Sequence, residues 1–367
     1  MTDYIALLRA PRFRALWLAL LCNNLGNWCV IAALPILVAE RFGAGMILVI
    51  SLGLRIVPKI VLAPVAGGLL RRFGAARTAG TAILTIAALT AILPWCHNPI
   101  LLQAVIGTTG TLDLFVLPGL FSLRGPVTPP DLEMASNTLC TMADRAGKVM
   151  GPALGGLALA AGFIPAFAGF AVLIAASAIP VFRLAVPPEA PAARGPAGSL
   201  TEFWRIVRTD RQIAGLLIAG LAYMIMLGGL RPFLFWANRD WFGASDTAWT
   251  GLLVTQGAGA LASAVFLSRL LSGMSAYTLT LAAGILEGAI HLALLFAQTV
   301  TQAIVILAVA GIPEIVSTSA WFTALLYRLA PGQQAQFFRG TFKNRLFQAS
   351  VSGLYDLGKA VQPYPRG

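Results

Sequence analysis

Residues 136–160 read SNTLCTMADRAGKVMGPALGGLALA. The stretch is long enough to cross a membrane as a helix, yet Asp144, Arg145 and Lys148 sit near its middle. It then turns glycine-rich, with Gly147, Gly151-Pro152 and Gly155-Gly156. A helix facing lipid does not tolerate such charges. A helix packed against neighbours, with one face on a water-filled cavity, does.

The chain around it fits that reading. Its 367 residues are 58% hydrophobic and 11% charged, with a mean hydropathy of +0.80. Soluble domains are nearer a quarter charged. The apolar residues fall in blocks of about 20, the length a helix needs to cross the hydrocarbon core. In lipid every backbone polar group needs an internal partner, so the blocks are helices rather than strands. The expected fold class is an all-α polytopic membrane protein. The N-terminus, MTDYIALLRAPRFRALW, lacks a small-residue cleavage site and reads as a basic cytoplasmic start to the first span. The net charge of +12 raises the question of nucleic acid, but the basic residues serve as topology signals, and no nucleic acid partner is expected. Cys22, Cys29, Cys96 and Cys140 lie in or beside apolar spans without metal or pairing spacing, and read as small packing residues.

Spans 1 to 4 are expected at about 15–39, 46–70, 78–95 and 100–123; the opening stretch is span 5, and span 6 covers about 164–182. A polar interval at 183–212 follows, holding Pro187, Pro188, Pro191 and Pro196. Within it Ser199 is a helix cap, and Leu200, Phe203, Trp204 and Val207 share one face, as in a short interfacial helix. Spans 7 to 10 are expected at about 213–236, 247–271, 277–297 and 303–329, and a weaker segment covers 342–367. With the N-terminus inside, Lys and Arg crowd the cytoplasmic side, among them Arg9, Arg12, Arg71, Arg77, Arg124, Arg183 and Arg208. The outer side holds Arg41 and Arg239. The positive-inside rule then fixes the orientation. Trp95, Trp204 and Trp241 fall near span ends, where indoles favour the interface.

Two halves echo each other. Gly147-Lys148-Val149-Met150-Gly151-Pro152 in span 5 matches Gly358-Lys359-Ala360-Val361-Gln362-Pro363 in the tail, with Asp144 and Asp356 just before each. Gly110-Thr111-Leu112-Asp113 in span 4 matches Gly311-Ile312-Pro313-Glu314 in span 10. Matches six spans apart, in the same order, imply two six-helix bundles, a usual construction of secondary transporters. The expected division is an N-terminal bundle at 1–183, a cytoplasmic linker with an amphipathic helix at 184–212 and an incomplete C-terminal bundle at 213–367. On this count 10–11 spans are present, the tail is the eleventh and a twelfth is missing.

The pattern resembles the major facilitator superfamily. After span 2, Gly67-Gly68-Leu69-Leu70-Arg71-Arg72-Phe73-Gly74 is similar to that family's loop motif, with Arg71 where an acid is expected. In span 5, Gly147-x3-Gly151-Pro152-x2-Gly155-Gly156 is similar to the end of the motif typical of its exporters, although Thr138 replaces the upstream glycine. The stretches 129–156 and 339–358 look most like the enterobactin-exporter and macrolide-efflux branch. The resemblance implies two six-helix bundles around a central cavity, export, and a gating and packing role for Gly67, Arg72, Gly74, Gly147, Gly151, Pro152, Gly155 and Gly156. It also implies a multi-pass protein of the inner membrane, monomeric in the bilayer.

Charges within the spans point to the site. The bases are Arg55, Lys59, Arg145, Lys148 and Arg231; the acids are Asp113, Asp144, Glu287 and Glu314. Each costs roughly 3 kcal/mol at mid-helix, so they must pair or line water. Arg55 and Lys59 are four apart on one face of span 2 and would repel each other. Either they form an anion site, or Asp113 and Asp144 neutralise them. Arg145 and Lys148 divide in the same way between substrate and helix anchoring. The N-terminal wall is positive, and a positive wall in a low-dielectric cleft attracts anions. Asn23, Asn24 and Asn27 in span 1 either contact substrate or hold helices together. By the resemblance, Asp113 and Glu314 face the cavity, and with Asp144 they are the candidates for proton coupling. Glu287 and His291, four apart on span 9, are either a proton relay or a structural pair.

No phosphate-binding loop, catalytic constellation or metal-ligand set appears, so neither an enzyme nor a cofactor is expected; the proton gradient is the energy source. The leading reading is a proton-coupled exporter of a small anionic compound, such as a carboxylate siderophore or metabolite. One alternative is a multidrug or macrolide-type pump. Another is a truncated chain that does not transport, suggested by the end at Tyr364-Pro365-Arg366-Gly367.

Overall fold

A computed structural model describes residues 2–59, 62, 70, 73–129, 132–184, 205, 207–270 and 275–328. Among them the regular structure is helical throughout, without strands. After a short helix, Thr2–Arg9, ten long segments follow: span 1 at Pro11–Phe42, span 2 from Met46–Leu54, span 3 at Ala75–Ile92, span 4 at Pro99–Ser122 and span 5 at Glu133–Leu159. Then come span 6 at Phe163–Arg183, span 7 at Arg211–Trp236, span 8 at Asp246–Leu270, span 9 at Ala276–Leu292 and span 10 at Val300–Arg328. Seven helices among the described residues are long and apolar enough to cross a membrane. Large apolar side chains such as Ile100, Val172, Ile218, Ile285 and Phe296 are exposed on their outer faces, as lipid contact requires.

The helix ends follow local chemistry. Asn98 accepts hydrogen bonds from the backbone N–H groups of Ile100 and Leu101, with Pro99 in the first helical position. Asp210 caps span 7 through Gln212 and Ile213, and Ser275 caps span 9 through Thr278. Gly43, at φ +78°, ends span 1 in a conformation that other residues avoid. Arg41 donates to the carbonyls of Cys96 and Pro94 and so ties the last turn of span 1 to the short turn that follows span 3. Trp95 and Trp241 lie exposed at span ends as expected. The proposed interfacial helix around Ser199 and Trp204, the loop residues Gly67 and Arg72, and the tail with its Gly358-Lys359 echo lie outside the described residues.

Spans 1 and 5 run side by side in the same direction. The Trp17 indole N–H donates to the Leu139 carbonyl at 2.9 Å near their first turns. Farther along, Gly147, Gly151 and Gly155 form a stripe at four-residue spacing. A Cβ added at Gly147 would lie 2.7 Å from Asn24 Cβ, one at Gly151 would strike Trp28, and one at Gly155 would lie 3.0 Å from the Cys29 carbonyl oxygen. Small residues let the two backbones meet, the main source of helix adhesion where lipid is as apolar as the side chains. Gly156 points elsewhere: its added Cβ would lie 2.7 Å from Thr250 Oγ1 in span 8. Span 5 is thus wedged between span 1 of the first half and span 8 of the second. Span 8 packs in turn on span 10, where Gly311 stands 2.7 Å, by the same measure, from the Ala260 backbone nitrogen.

Let the far end of the bundle be the one away from the N-terminus. There the halves are also pinned by Trp249 of span 8, whose indole donates to the Ala32 carbonyl of span 1 at 2.9 Å. Its ring is fully buried and meets Phe235 edge-on, with centroids 5.2 Å apart.

Candidate functional site

Span 2 is not the continuous helix that the sequence suggests. Its helix stops at Leu54, residues 55 and 56 form a turn, and helix resumes at Val57. Pro58 has no N–H, so the Leu54 carbonyl loses its normal donor four residues on. The backbone tightens instead: Ile56 bonds to Gly53 at 2.9 Å and Lys59 to Ile56 at 3.1 Å. The released Leu54 carbonyl turns to span 4, where only a glycine fits: a Cβ on Gly110 would lie 2.5 Å from it.

This break puts a turn between Arg55 and Lys59, where the sequence suggests an unbroken helix face; both still stand within electrostatic reach of Asp113. Lys59 forms an ion pair with Asp113 of span 4. Arg55 donates to the Asn27 side-chain oxygen of span 1 at 2.5 Å, and Asp113 is within its electrostatic reach. Neutralisation is therefore what happens to Lys59, whereas the direct hydrogen-bond partner of Arg55 is a neutral amide. A cavity of about 10 Å³, the room of one water, lies among Asn27, Arg55, Thr90, Thr109 and Asp113.

The second group of bases gathers on Trp28 of span 1. The Arg231 guanidinium from span 7 lies 5.1 Å from the ring centroid, and Lys148 Nζ from span 5 lies 5.7 Å from it. Both distances suit cation–π attraction. Lys148 feels Asp144 one turn earlier on its own helix and Glu314 across on span 10; Arg145 repels it. Arg231 feels Glu314 and is repelled by Arg55. Bases from both halves thus converge, and with Asp113 committed to Lys59, the remaining Arg55, Arg145, Lys148 and Arg231 outnumber Asp144 and Glu314. Trp28 escaped the sequence reading, although its place one residue from Asn27 in a polar-bearing span was a usable signal.

The asparagines divide. Asn27 holds Arg55, Asn24 is buried beneath Gly147 in the span 1–5 seam, and Asn23 is buried. Gly74 begins span 3 at φ +85°. Pro152 is buried within span 5.

Glu287 and His291 are both buried on span 9, but they are not joined side chain to side chain. His291 Nδ1 lies 2.9 Å from the Glu287 backbone carbonyl, while Ser317 Oγ of span 10 bonds Glu287 Oε2 at 2.9 Å. Among the described residues no group of His, Cys, Asp and Glu could hold a metal ion. The described cysteines are free thiols.

The sequence model described as Major Facilitator Superfamily matches residues 16–347. No curated protein sequence matches the chain. Solved structures match over nearly its full length. The human organic anion transporter MFSD10 (TETRAN) is 17% identical, with 96% of this chain and 93% of that one covered and a TM-score of 0.63. A bacterial homologue of the human lysosomal transporter Spinster, in an inward-facing and unoccupied conformation, is 14% identical, with 97% and 81% covered and a TM-score of 0.70. The Escherichia coli fucose:proton symporter FucP is 15% identical, with 98% and 91% covered and a TM-score of 0.59. At these identities the likeness is one of fold.

Proposed function

Because the chain belongs to the Major Facilitator Superfamily, and is thus a membrane transporter rather than an enzyme, we propose that it is a proton-coupled exporter of a small anionic compound. The observation that carries this reading is the convergence of Arg231 and Lys148 on Trp28, with Arg55 nearby and too few acids to balance them. An excess of fixed positive charge, shielded from bulk water, favours a carboxylate or phosphate between the halves. A flat aromatic ring beside two cations suits an anion with an apolar or aromatic body. Carboxylate siderophores and organic-acid metabolites have that character; lipophilic cations do not. The structural neighbour named as an organic anion transporter is an example of this fold with such a substrate, as the fucose:proton symporter is of one with a sugar.

In this reading Arg55, Arg145, Lys148 and Arg231 meet the substrate, with Asn23 and Asn27 beside them. Lys59 and Asp113 form a paired strut, which leaves Asp144 and Glu314 as the carboxyls available for proton exchange. The N-terminus lies in the cytoplasm, the protein works as a monomer in the inner membrane, and the far end faces outward. The glycine motif of span 5 supports export.

The test is flux through reconstituted vesicles, with and without a proton gradient, using carboxylates, organophosphates, neutral sugars and lipophilic cations. Anions are expected to move, driven by the gradient, and Arg55→Ala and Arg231→Ala to reduce that flux at least tenfold without loss of folded protein, equivalent to about 1.4 kcal/mol or more of lost stabilisation. Transport of cationic dyes alone, or normal anion flux in both variants, would sink the reading.

A further inference from the structure

The cluster of Glu287, His291 and Ser317 lies between spans 9 and 10 and plays no part in the anion site. Its hydrogen count is informative. Ser317 has one hydroxyl hydrogen but faces two oxygens that ordinarily accept: Glu287 Oε2 at 2.9 Å and the Glu314 backbone carbonyl at 3.1 Å. Both contacts are satisfied together when Glu287 is a neutral carboxyl, donating its O–H to Ser317 Oγ while Ser317 donates to the Glu314 carbonyl. With Glu287 ionised, the single hydrogen turns to Oε2 and the Glu314 carbonyl loses it.

The histidine adds a second, independent observation. A backbone carbonyl can only accept, so His291 Nδ1 carries the hydrogen of the 2.9 Å contact to the Glu287 carbonyl. In the neutral ring Nε2 is then a bare acceptor. Among the described residues, that nitrogen and Glu287 Oε1 are both buried without a partner. Glu287 is 1% exposed and His291 7%, and no Lys or Arg pairs with Glu287 among the described residues. An ionised carboxylate in such a place has one hydroxyl to replace its whole hydration shell, which strongly disfavours it. Span 9 packs on spans 7 and 10, and the titratable groups facing Glu287 from them are Tyr223 and Glu314.

We infer that Glu287, with Ser317 and His291, is a proton-binding site set behind the central cavity and read out there through Ser317 and Glu314. Loading forms one O–H bond on the Glu287 carboxyl. Unloading breaks it and passes the proton to water. Either change reverses the Ser317 hydroxyl and alters the charge felt by Glu314, which itself faces Lys148 and Arg231. The transporter reading gives the site its use; its existence does not depend on that reading.

Infrared titration of the full chain in lipid nanodiscs, with no substrate present, tests it. The wild type is expected to show a protonated-carboxyl band that disappears on going from acidic to alkaline pH, and Glu287→Gln to lack that band. A band unchanged in Glu287→Gln overturns the proposal even if transport is normal, whereas its loss upholds the site even if no anion is carried. If Glu287→Gln does not fold, Ser317→Ala decides: a shift of the band's frequency and of the pH at which it disappears upholds the site, and an unmoved band overturns it.

Discussion

Each half of the molecule holds a polar cluster, and the two are built on opposite principles. In the first half Lys59 and Asp113 join spans 2 and 4 as full charges, with Arg55 and Asn27 alongside. In the second half Glu287 and Ser317 join spans 9 and 10 through a hydroxyl, without a counter-ion among the described residues. The first cluster is pressed together by backbone: Gly110 admits the Leu54 carbonyl as nothing larger could. In the second no glycine of span 9 is pressed into the seam: Gly284 is exposed, and added Cβ atoms at Gly284 and Gly288 would meet nothing within 4 Å. A charged pair in a tight seam resists change of either partner. A carboxyl beside a hydroxyl tolerates two protonation states. The difference assigns rigidity to one cluster and titration to the other.

The largest effect should come from unbalancing the charged pair. Asp113→Leu leaves Lys59, whose side chain is 37% exposed, without its counter-ion and should lower stability by about 2–3 kcal/mol, between the values for surface and buried pairs, measured by thermal denaturation in detergent. Adding Lys59→Met should recover much of that loss; a double variant no better than the single would break the assignment of a paired strut. Next is the seam itself. Gly110→Ala drives a methyl group into the Leu54 carbonyl and should destabilise by about 1–3 kcal/mol. Loss of the Ser317 hydroxyl leaves Glu287 Oε2 bare, and Ser317→Ala should cost about 1–2 kcal/mol in the same assay. The smallest effect has the opposite sign. Gly284→Ala fills open space within a helix and should stabilise by roughly 0.5–1 kcal/mol. A loss there as large as that of Gly110→Ala would erase the contrast between a glycine pressed into a seam and one outside it.

Much of the fold was legible because helix boundaries are local. Span 4, expected at about 100–123, is Pro99–Ser122, and span 6, expected at about 164–182, is Phe163–Arg183. Asn98 with Pro99 is a start signal any reader can see. The charges of span 5 were legible as misfits to lipid, and the glycine stripe as a packing face. What the sequence withheld was tertiary register. Arg55 and Lys59 looked like a stacked pair because spacing assumes an unbroken helix; Pro58 was in view, but which carbonyl it would free, and toward which glycine, depends on span 4. The bond from Glu287 reaches 30 residues along the chain to a serine that nothing local marks out. Trp28 passed as an ordinary aromatic until two bases from different spans met over its ring.

One buried indole has a consequence for the resting molecule. Halves that rock about a central site must break the bond from the Trp249 indole to the Ala32 carbonyl whenever the far ends part, while the contact with Phe235, in the same half, persists. Losing that buried hydrogen bond costs on the order of 1–3 kcal/mol. That corresponds to a bias of roughly fivefold to a hundredfold in occupancy. A single side chain thus weights the resting molecule toward a shut far side, and a substrate that opens that side must offset the weight.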